Sequence, residues 1–325
     1  MRLVIQVPCL NEAATLPQTL RALPRDVANF DEVLWLVVDD GSTDTTAEVA
    51  RQNGADVVVS LTQNKGLAVA FQAGLDAALK LGADVIVNTD GDNQYFADDI
   101  KKLVEPIVDG KADLVIGSRD IANHTEFSKS KKWLQRLGSW VVRHASKTDV
   151  ADVTSGFRAY SKEAALTVNV VSRFTYTLET VIQAGRSDLA VVDVPVRVNK
   201  TTRPSRLFRS KRQYVRRSAG TILRIYAMHE PIKVFALPAL LLASVGTILF
   251  GRFAWFFFTS DGSGHVQSLI VGAVCLVLAF QLLMLGILGD LLRANRVISE
   301  RILKRVRGIE LQAGAQVFDS EDRLL

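Results

Sequence analysis

Asp90 and Asp92 stand one residue apart in Val85-Ile86-Val87-Asn88-Thr89-Asp90-Gly91-Asp92-Asn93-Gln94, directly after a short apolar run. Residues i and i+2 of an extended segment point the same way, so both carboxylates can reach one cation, and the Gln94 amide can add a neutral oxygen. Gly91 lets the backbone come close to a bound group. Hard oxygen ligands of this kind suit Mg2+ or Mn2+, and those ions suit a diphosphate. A lone Asp-x-Asp is more often a solvated acidic turn, so the chemistry depends on what accompanies it.

Polar clusters accompany it at the ends of other apolar runs. Leu3 to Val7 reads as a buried strand ended by Pro8 and followed by Asn11-Glu12, after which Ala13, Leu16, Leu20 and Leu23 recur at helical spacing. Val33 to Val38 reads as a second strand, closing in Asp39-Asp40-Gly41-Ser42-Thr43-Asp44, with Ser42 or Thr43 as the expected helix cap. Val57 to Val59 is a third, and Asn64-Lys65-Gly66 then opens a helix through Leu67, Phe71, Leu75 and Leu79. Val85 to Asn88 is the fourth, and Leu114 to Ile116, closing in Gly117-Ser118-Arg119, the fifth. Phe174 to Ala184 reads as a helix carrying Glu179, and Ala190 to Val198 as a final strand broken by Pro195. This alternation predicts an α/β fold with a doubly wound, mostly parallel sheet, whose ligands sit beyond the carboxyl ends of the strands. No Gly-x-Gly-x-x-Gly or Walker loop is present, which argues against a dinucleotide enzyme or a P-loop ATPase. Asp39 or Asp40 can accept hydrogen bonds from ribose hydroxyls or a base edge; the alternative is an acid complementing a helix dipole.

Taken in order, Val7-Pro8-Cys9-Leu10-Asn11-Glu12, Val38-Asp39-Asp40-Gly41-Ser42-Thr43-Asp44, Asn64-Lys65-Gly66 and Asp90-Gly91-Asp92-Asn93-Gln94 resemble the successive signatures of glycosyltransferase family 2, which has the GT-A fold. Gly117-Ser118-Arg119 and Asp152-Val153-Thr154-Ser155-Gly156-Phe157-Arg158 are similar to its dolichyl-phosphate mannose synthase branch. The resemblance implies a nucleotide pocket lined by Pro8, Asn11, Glu12, Asp40 and the Asn64-Lys65-Gly66 loop, with Asp90, Asp92 and Gln94 around the metal. The loop Lys200-Thr201-Thr202-Arg203-Pro204-Ser205-Arg206 resembles the family's acceptor loop, with Ser205-Arg206 at its Ser-Lys position. Val153 stands where the branch usually has Pro, and Tyr95-Phe96-Ala97 where it has His-Pro-Pro, which leaves the donor sugar open between GDP-mannose and UDP-glucose. Two other readings are a processive polysaccharide synthase and a non-catalytic nucleotide-sugar-binding protein. Against the first, Gln213-Tyr214-Val215-Arg216-Arg217 lacks the Trp of Gln-x-x-Arg-Trp.

The 325 residues, 48 % apolar, allow one large domain and more. Nine Lys and Arg side chains between Lys200 and Arg224, with no acid among them, lead into membrane-length apolar sequence, which favours a lipid surface over nucleic acid. Trp133, Leu137, Trp140, Val141 and His144 share one helical face, with Lys131, Lys132, Arg136 and Arg143 near it; this is a bilayer-docking helix or an ordinary amphipathic one. Val234 to Phe250, extending through Phe253 to Phe258, and Val266 to Gly289 are long enough to cross a bilayer and too closely joined to enclose a domain. Basic residues flank this hairpin on both sides, so the positive-inside rule places domain and tail in the cytoplasm. The expected organisation is a GT-A catalytic domain over 1–205, basic interface helices over 206–231, a transmembrane hairpin over 232–290 and a cytoplasmic basic helix and tail over 291–325. Association between copies is compatible with so small a hairpin, and nothing specifies its symmetry. Cys9 and Cys275 build no disulfide framework, which fits a reducing compartment. A polyprenyl phosphate acceptor is already ionised and needs no general base. It needs cationic positioning, for which Arg119, Arg136, Ser139 and Arg203 or Arg206 are the candidates.

Overall fold

The computed structural model describes residues 1–119, 148, 150–170, 176–199, 227–228, 230–259 and 265–312. Arg136, Ser139, Arg203, Ser205 and Arg206, the amphipathic stretch around Trp133 and the basic block after Lys200 lie outside the described residues. The chain divides into two compact units, Met1–Val215 with Glu300–Leu325, and Arg216–Ser299.

The first unit is built on a seven-stranded sheet of order β3-β2-β1-β4-β6-β5-β7. Its strands are β1 (Arg2–Cys9), β2 (Glu32–Asp39), β3 (Val57–Ser60), β4 (Val85–Asn88), β5 (Leu114–Arg119), β6 (Arg158–Ser161) and β7 (Val191–Val196). All neighbours pair in parallel except β6, which runs antiparallel to both β4 and β5. The sheet therefore matches the expected doubly wound α/β class, with one reversed strand that the apolar pattern did not announce. Helices α1 (Leu16–Ala22), α2 (Thr46–Gln52), α3 (Leu67–Lys80), α4 (Ile100–Val108), α5 (Lys162–Thr167) and α6 (Thr177–Arg186) accompany it. Leu3, Ile5 and Val7 of β1 enter the core with Val37, Val87, Val115 and Phe157. Runs of this kind, apolar on both faces, are what a sheet covered on both sides requires.

Three local expectations need correction. β1 does not stop at Pro8 but pairs through it to Cys9, opposite Asp39. β7 likewise runs through Pro195, because it is an edge strand where a missing N–H can face away from the ladder. The cap of α2 is neither Ser42 nor Thr43. Asp44 Oδ1 accepts the Thr46 N–H at 3.0 Å, while the Ser42 and Thr43 hydroxyls are engaged with Asn11.

A short helical turn, Ala97–Asp99, leads into α4 and buries the Asp99 carboxylate against Arg197 at 2.8 Å and Lys102 at 2.9 Å. Burial acts to raise this carboxyl, but bonds from the Arg197 side chain and backbone and from Lys102 outweigh it and hold it down at about 2. An unfolded Asp titrates near 4, so the folded value is depressed; the stabilisation is complete above that range and fades as pH falls toward 2. Asp99→Asn is expected to flatten the acid limb of the melting temperature between about pH 4 and 2, read by circular dichroism in detergent. An unchanged limb would remove Asp99 from acid unfolding.

The second unit carries α7 (Pro231–Thr259, 29 residues) and the start of α8 (Val266–Gln312, 47 residues), both long and apolar enough to cross a membrane. Only 11 % and 17 % of their most apolar windows are buried, unlike the core helices of a soluble protein. The two helices meet where side chains are absent: a Cβ on Gly246 would lie 3.0 Å from the Gly272 carbonyl oxygen, and one on Gly272 3.1 Å from that of Gly246. Small residues at a crossing are how membrane helices approach closely without a hydrophobic driving force. α8 continues well beyond Gly289, where the apolar run ends.

Candidate active site

The carboxyl ends of β1, β2, β3 and β4 share one edge, since Cys9 pairs with Asp39, Asp39 with Ser60 and Gln6 with Asn88. The loops leaving these strands are bonded to one another. Asn11, in the left-handed region at φ 54°, donates its N–H to Ser42 Oγ at 2.9 Å and accepts the Thr43 N–H on Oδ1 at 2.8 Å. Glu12 gives its N–H to Thr46 Oγ1, and its carboxylate accepts the Thr15 hydroxyl at 2.6 Å. Asp39 Oδ1 accepts the Ser42 N–H at 3.0 Å. The two Asp40 oxygens receive the Lys65 and Gly66 N–H groups at 2.8 and 2.9 Å. Burial raises the Asp40 carboxyl, and those two N–H groups draw it back. Asp40 therefore shapes the 64–66 loop directly.

Gly41, at φ +66°, brings the β2 loop against that same loop: a Cβ there would lie 2.3 Å from the Gln63 carbonyl carbon and 2.6 Å from the Asn64 nitrogen. Gly41→Ala must push the two loops apart and adopt a left-handed conformation that costs about 1–2 kcal/mol. The expected result is a melting temperature lowered by a few degrees in circular dichroism, with faster amide exchange over residues 63–66.

Asp90 and Asp92 follow β4. The Thr19 hydroxyl donates to the Gly91 carbonyl at 3.0 Å, and the Gln94 N–H donates to Asp92 Oδ1 at 3.1 Å. Gly91 is required by contact, since a Cβ would meet Cys9 Sγ at 2.8 Å. Asp90 lies against Gly156, where a Cβ would stand 2.9 and 3.1 Å from its two oxygens. Gly156 is gripped from both sides. Asn88 Nδ2 donates to its carbonyl at 2.7 Å and to the Tyr176 hydroxyl at 2.9 Å, while the Gly156 N–H donates to the Tyr95 hydroxyl at 3.2 Å. Tyr176 stacks on Phe71 and Tyr95 on Phe157.

Burial and then the Asp92 charge push the Asp90 carboxyl up to about 7, against the pull of Arg119 and Arg158. Crowded negative charge of this kind is what a bound dication relieves. Among the described residues no group of three His, Cys, Asp or Glu side chains could hold a metal. Two carboxylates and an amide fit Mg2+ or Mn2+ nonetheless, because Mg2+ commonly takes one or two carboxylates and fills its octahedron with waters and substrate phosphates.

Arg119, at the end of β5, donates Nε to Asp152 Oδ2 at 2.7 Å and Nη2 to Asp152 Oδ1 at 3.2 Å and Thr154 Oγ1 at 3.0 Å. Asp152 is fully buried and Arg119 is 17 % exposed. Burial works against the Arg119 charge, yet Tyr95 and Asp152 raise its pKa further, so it is a fixed cation beside Asp90. Arg158 is wholly buried and gives four of its five N–H groups to neutral acceptors: the carbonyls of Ser155, Val153 and Thr177, and Thr180 Oγ1. Its charge thus acts on Asp90 without a carboxylate partner of its own among these bonds.

Of the described candidates, Pro8, Asp39 and Arg119 lie at the carboxyl ends of β1, β2 and β5, and Asn11, Glu12, Asp40, Asn64, Lys65, Gly66, Asp90, Asp92 and Gln94 lie in the loops that follow the strands of this edge. Sequence reasoning assigned no role to Asp152, Thr154, Gly156, Tyr176 or Asn199. The Asp152 to Arg158 run was the available signal for the first three.

The sequence profile described as glycosyl transferase family 2 matches residues 4–168, just over half of the chain. Over 213 residues the chain is 30 % identical to a UDP-N-acetylglucosamine–dolichyl-phosphate N-acetylglucosaminyltransferase of Methanococcus voltae, covering 59 % of this chain and 83 % of the relative. It is 31 % identical over 206 residues to an undecaprenyl-phosphate mannosyltransferase of Micrococcus luteus, covering 60 % and 83 %. The fold is similar to a crystal structure of glucosyl-3-phosphoglycerate synthase from Mycobacterium tuberculosis in complex with Mn2+, UDP and glucosyl-3-phosphoglycerate. The TM-score is 0.52 at 20 % identity, covering 70 % of this chain and 78 % of the other.

Proposed function

Because this chain belongs to glycosyl transferase family 2, we propose that it transfers a hexose, mannose before glucose, from a nucleotide-diphosphate sugar to a polyprenyl phosphate at the cytoplasmic face of a membrane. The observation that carries this reading is the pairing of a crowded carboxylate pair, Asp90 and Asp92, with a rigid cation, Arg119, at one edge of the sheet. Such an edge suits two anions, a diphosphate and an acceptor phosphate. The relatives named for transfer to dolichyl and undecaprenyl phosphates support the acceptor class. Two membrane-length helices in the same chain support a lipid rather than a soluble acceptor.

In this reading Asp39 accepts from the nucleoside, and Asp40 keeps the 64–66 loop shaped around it. Asp90, Asp92 and Gln94 would hold Mg2+ or Mn2+, which supplies charge neutralisation for the departing nucleoside diphosphate. Arg119, joined by Arg136, Ser139 and Arg203 or Arg206, orients the acceptor phosphate. A phosphate oxygen attacks the anomeric carbon as the bond to the diphosphate breaks, and the anomeric centre inverts. No proton needs to be removed from the nucleophile, so the site requires no general base.

The test is label transfer by the detergent-purified chain from GDP-mannose, UDP-glucose or UDP-N-acetylglucosamine into the organic phase, with and without polyprenyl phosphate, in Mg2+, Mn2+ or chelator. Transfer that needs both metal and lipid phosphate is the expected result and identifies the donor. Nucleotide binding with no lipid-linked product from any donor would overturn the proposal.

A further inference from the structure

The turn that carries Asp92 and Gln94 is held from outside by a segment distant in sequence. Asn93, at its centre, adopts a left-handed φ of 54°, a region that Asn enters more readily than most non-glycine residues and in which its surroundings hold it. Three consecutive residues after β7 supply those surroundings. The Arg197 N–H and guanidinium both bond the buried Asp99 carboxylate, and the Arg197 guanidinium lies 3.9 Å over the Phe96 ring. Val198 bridges Tyr95, while the Arg197 carbonyl accepts the Phe96 N–H at 3.2 Å. Asn199 makes three bonds to the turn itself. Its N–H donates to the Gln94 carbonyl at 2.8 Å, and its side-chain Nδ2 donates to the Asn93 carbonyl at 2.9 Å and the Tyr95 carbonyl at 3.3 Å.

Arg197 and Val198 secure the far end of the loop, at Tyr95 to Asp99, whereas the Asn199 side chain reaches Asn93, the residue between Asp92 and Gln94. The two N–H groups on Nδ2 serve two carbonyl oxygens at once, which a hydroxyl with its single hydrogen cannot do. We propose that Asn199 is a positioning residue for the divalent-cation site: its Nδ2 fixes the Asn93 peptide and thereby the separation of the Asp92 and Gln94 ligands. The inference rests on the metal role of Asp90, Asp92 and Gln94 and extends it to a residue more than a hundred positions away. A rigid second set of contacts of this kind is what decides whether oxygen ligands are already in place when the ion arrives.

The experiment is Mn2+ binding to the full chain in detergent, read by electron paramagnetic resonance with and without GDP or UDP, for the parental chain, Asn199→Ala and Asn199→Asp. Asn199→Ala removes both side-chain donors, and Asn199→Asp turns an acceptor toward the two carbonyls. Mn2+ affinity is expected to fall about tenfold in the first and further in the second, with metal-free nucleotide binding within twofold of parental. Amide exchange over residues 92–96 is expected to rise in parallel. Mn2+ affinity unchanged in both variants overturns the positioning role while leaving the metal site standing. No Mn2+ binding by the parental chain, with or without nucleotide, overturns the metal role itself. Should Asn199→Ala fail to fold, Asn199→Leu, similar in size and without a donor, supplies the same comparison.

Discussion

Asp92→Asn is expected to lower kcat/KM for sugar transfer about 10³-fold or more while the chain melts within a few degrees of the parental protein. The substitution is nearly isosteric, and the single bond by which Asp92 shapes its own turn survives it: the amide oxygen of Asn can still accept the Gln94 N–H that Asp92 Oδ1 accepts at 3.1 Å. What disappears is one negative charge of the crowded pair. A cation on that pair would lose about half of its fixed counter-charge, and transfer to any acceptor would suffer with it. Mn2+ binding in the presence of nucleoside diphosphate is expected to weaken by a similar order, whereas nucleotide binding in chelator is not. Full activity in Asp92→Asn would sink the metal role and with it the account of leaving-group stabilisation.

Much of this site is written locally, and that is why it can be read from sequence. Asn11-Glu12, Asp39-Asp40, Asn64-Lys65-Gly66 and Asp90-Gly91-Asp92 each follow an apolar strand, and parallel pairing alone is enough to bring strand ends together. The partition of roles within a cluster is less legible. Asp39 and Asp40 are adjacent and chemically identical, yet Asp40 spends both oxygens on the Lys65 and Gly66 N–H groups, a pairing fixed by long-range packing. β6 was missed for a related reason. Arg158-Ala159-Tyr160-Ser161 opens on a charged residue and is four residues long, so neither period nor composition marks it, and its place between β4 and β5 is a tertiary fact. The buried Arg158 inverts ordinary expectation altogether: a charged strand residue is tolerated because four neutral oxygens take up four of the five guanidinium N–H groups. Asn199 carried no signal, since one Asn after a strand looks like any turn residue until its partners are known.

Replacing Arg119 separates the acceptor role from a structural one only if Asp152 is changed as well. Arg119→Ala alone leaves the Asp152 carboxylate, which is wholly buried and held below its usual range by that guanidinium against the effect of burial, without its ion partner. Removing one member of a buried pair typically costs about 3–5 kcal/mol, so loss of activity in the single variant would say little about the lipid. The double variant Arg119→Ala with Asp152→Asn removes the orphaned charge, and the Asn amide can still accept from the Thr154 hydroxyl, which bonds Asp152 Oδ1 at 2.8 Å. Most of the melting temperature lost in the single variant is therefore expected to return. The KM for polyprenyl phosphate is not: a charge-assisted bond to a phosphate is worth about 1.5–3 kcal/mol, so KM should remain raised by about 10- to 100-fold, with KM for the nucleotide sugar within about threefold of parental. If the guanidinium serves only to neutralise Asp152, stability and lipid KM recover together. Recovery of stability with persistent loss of lipid use is the outcome that places Arg119 on the acceptor phosphate.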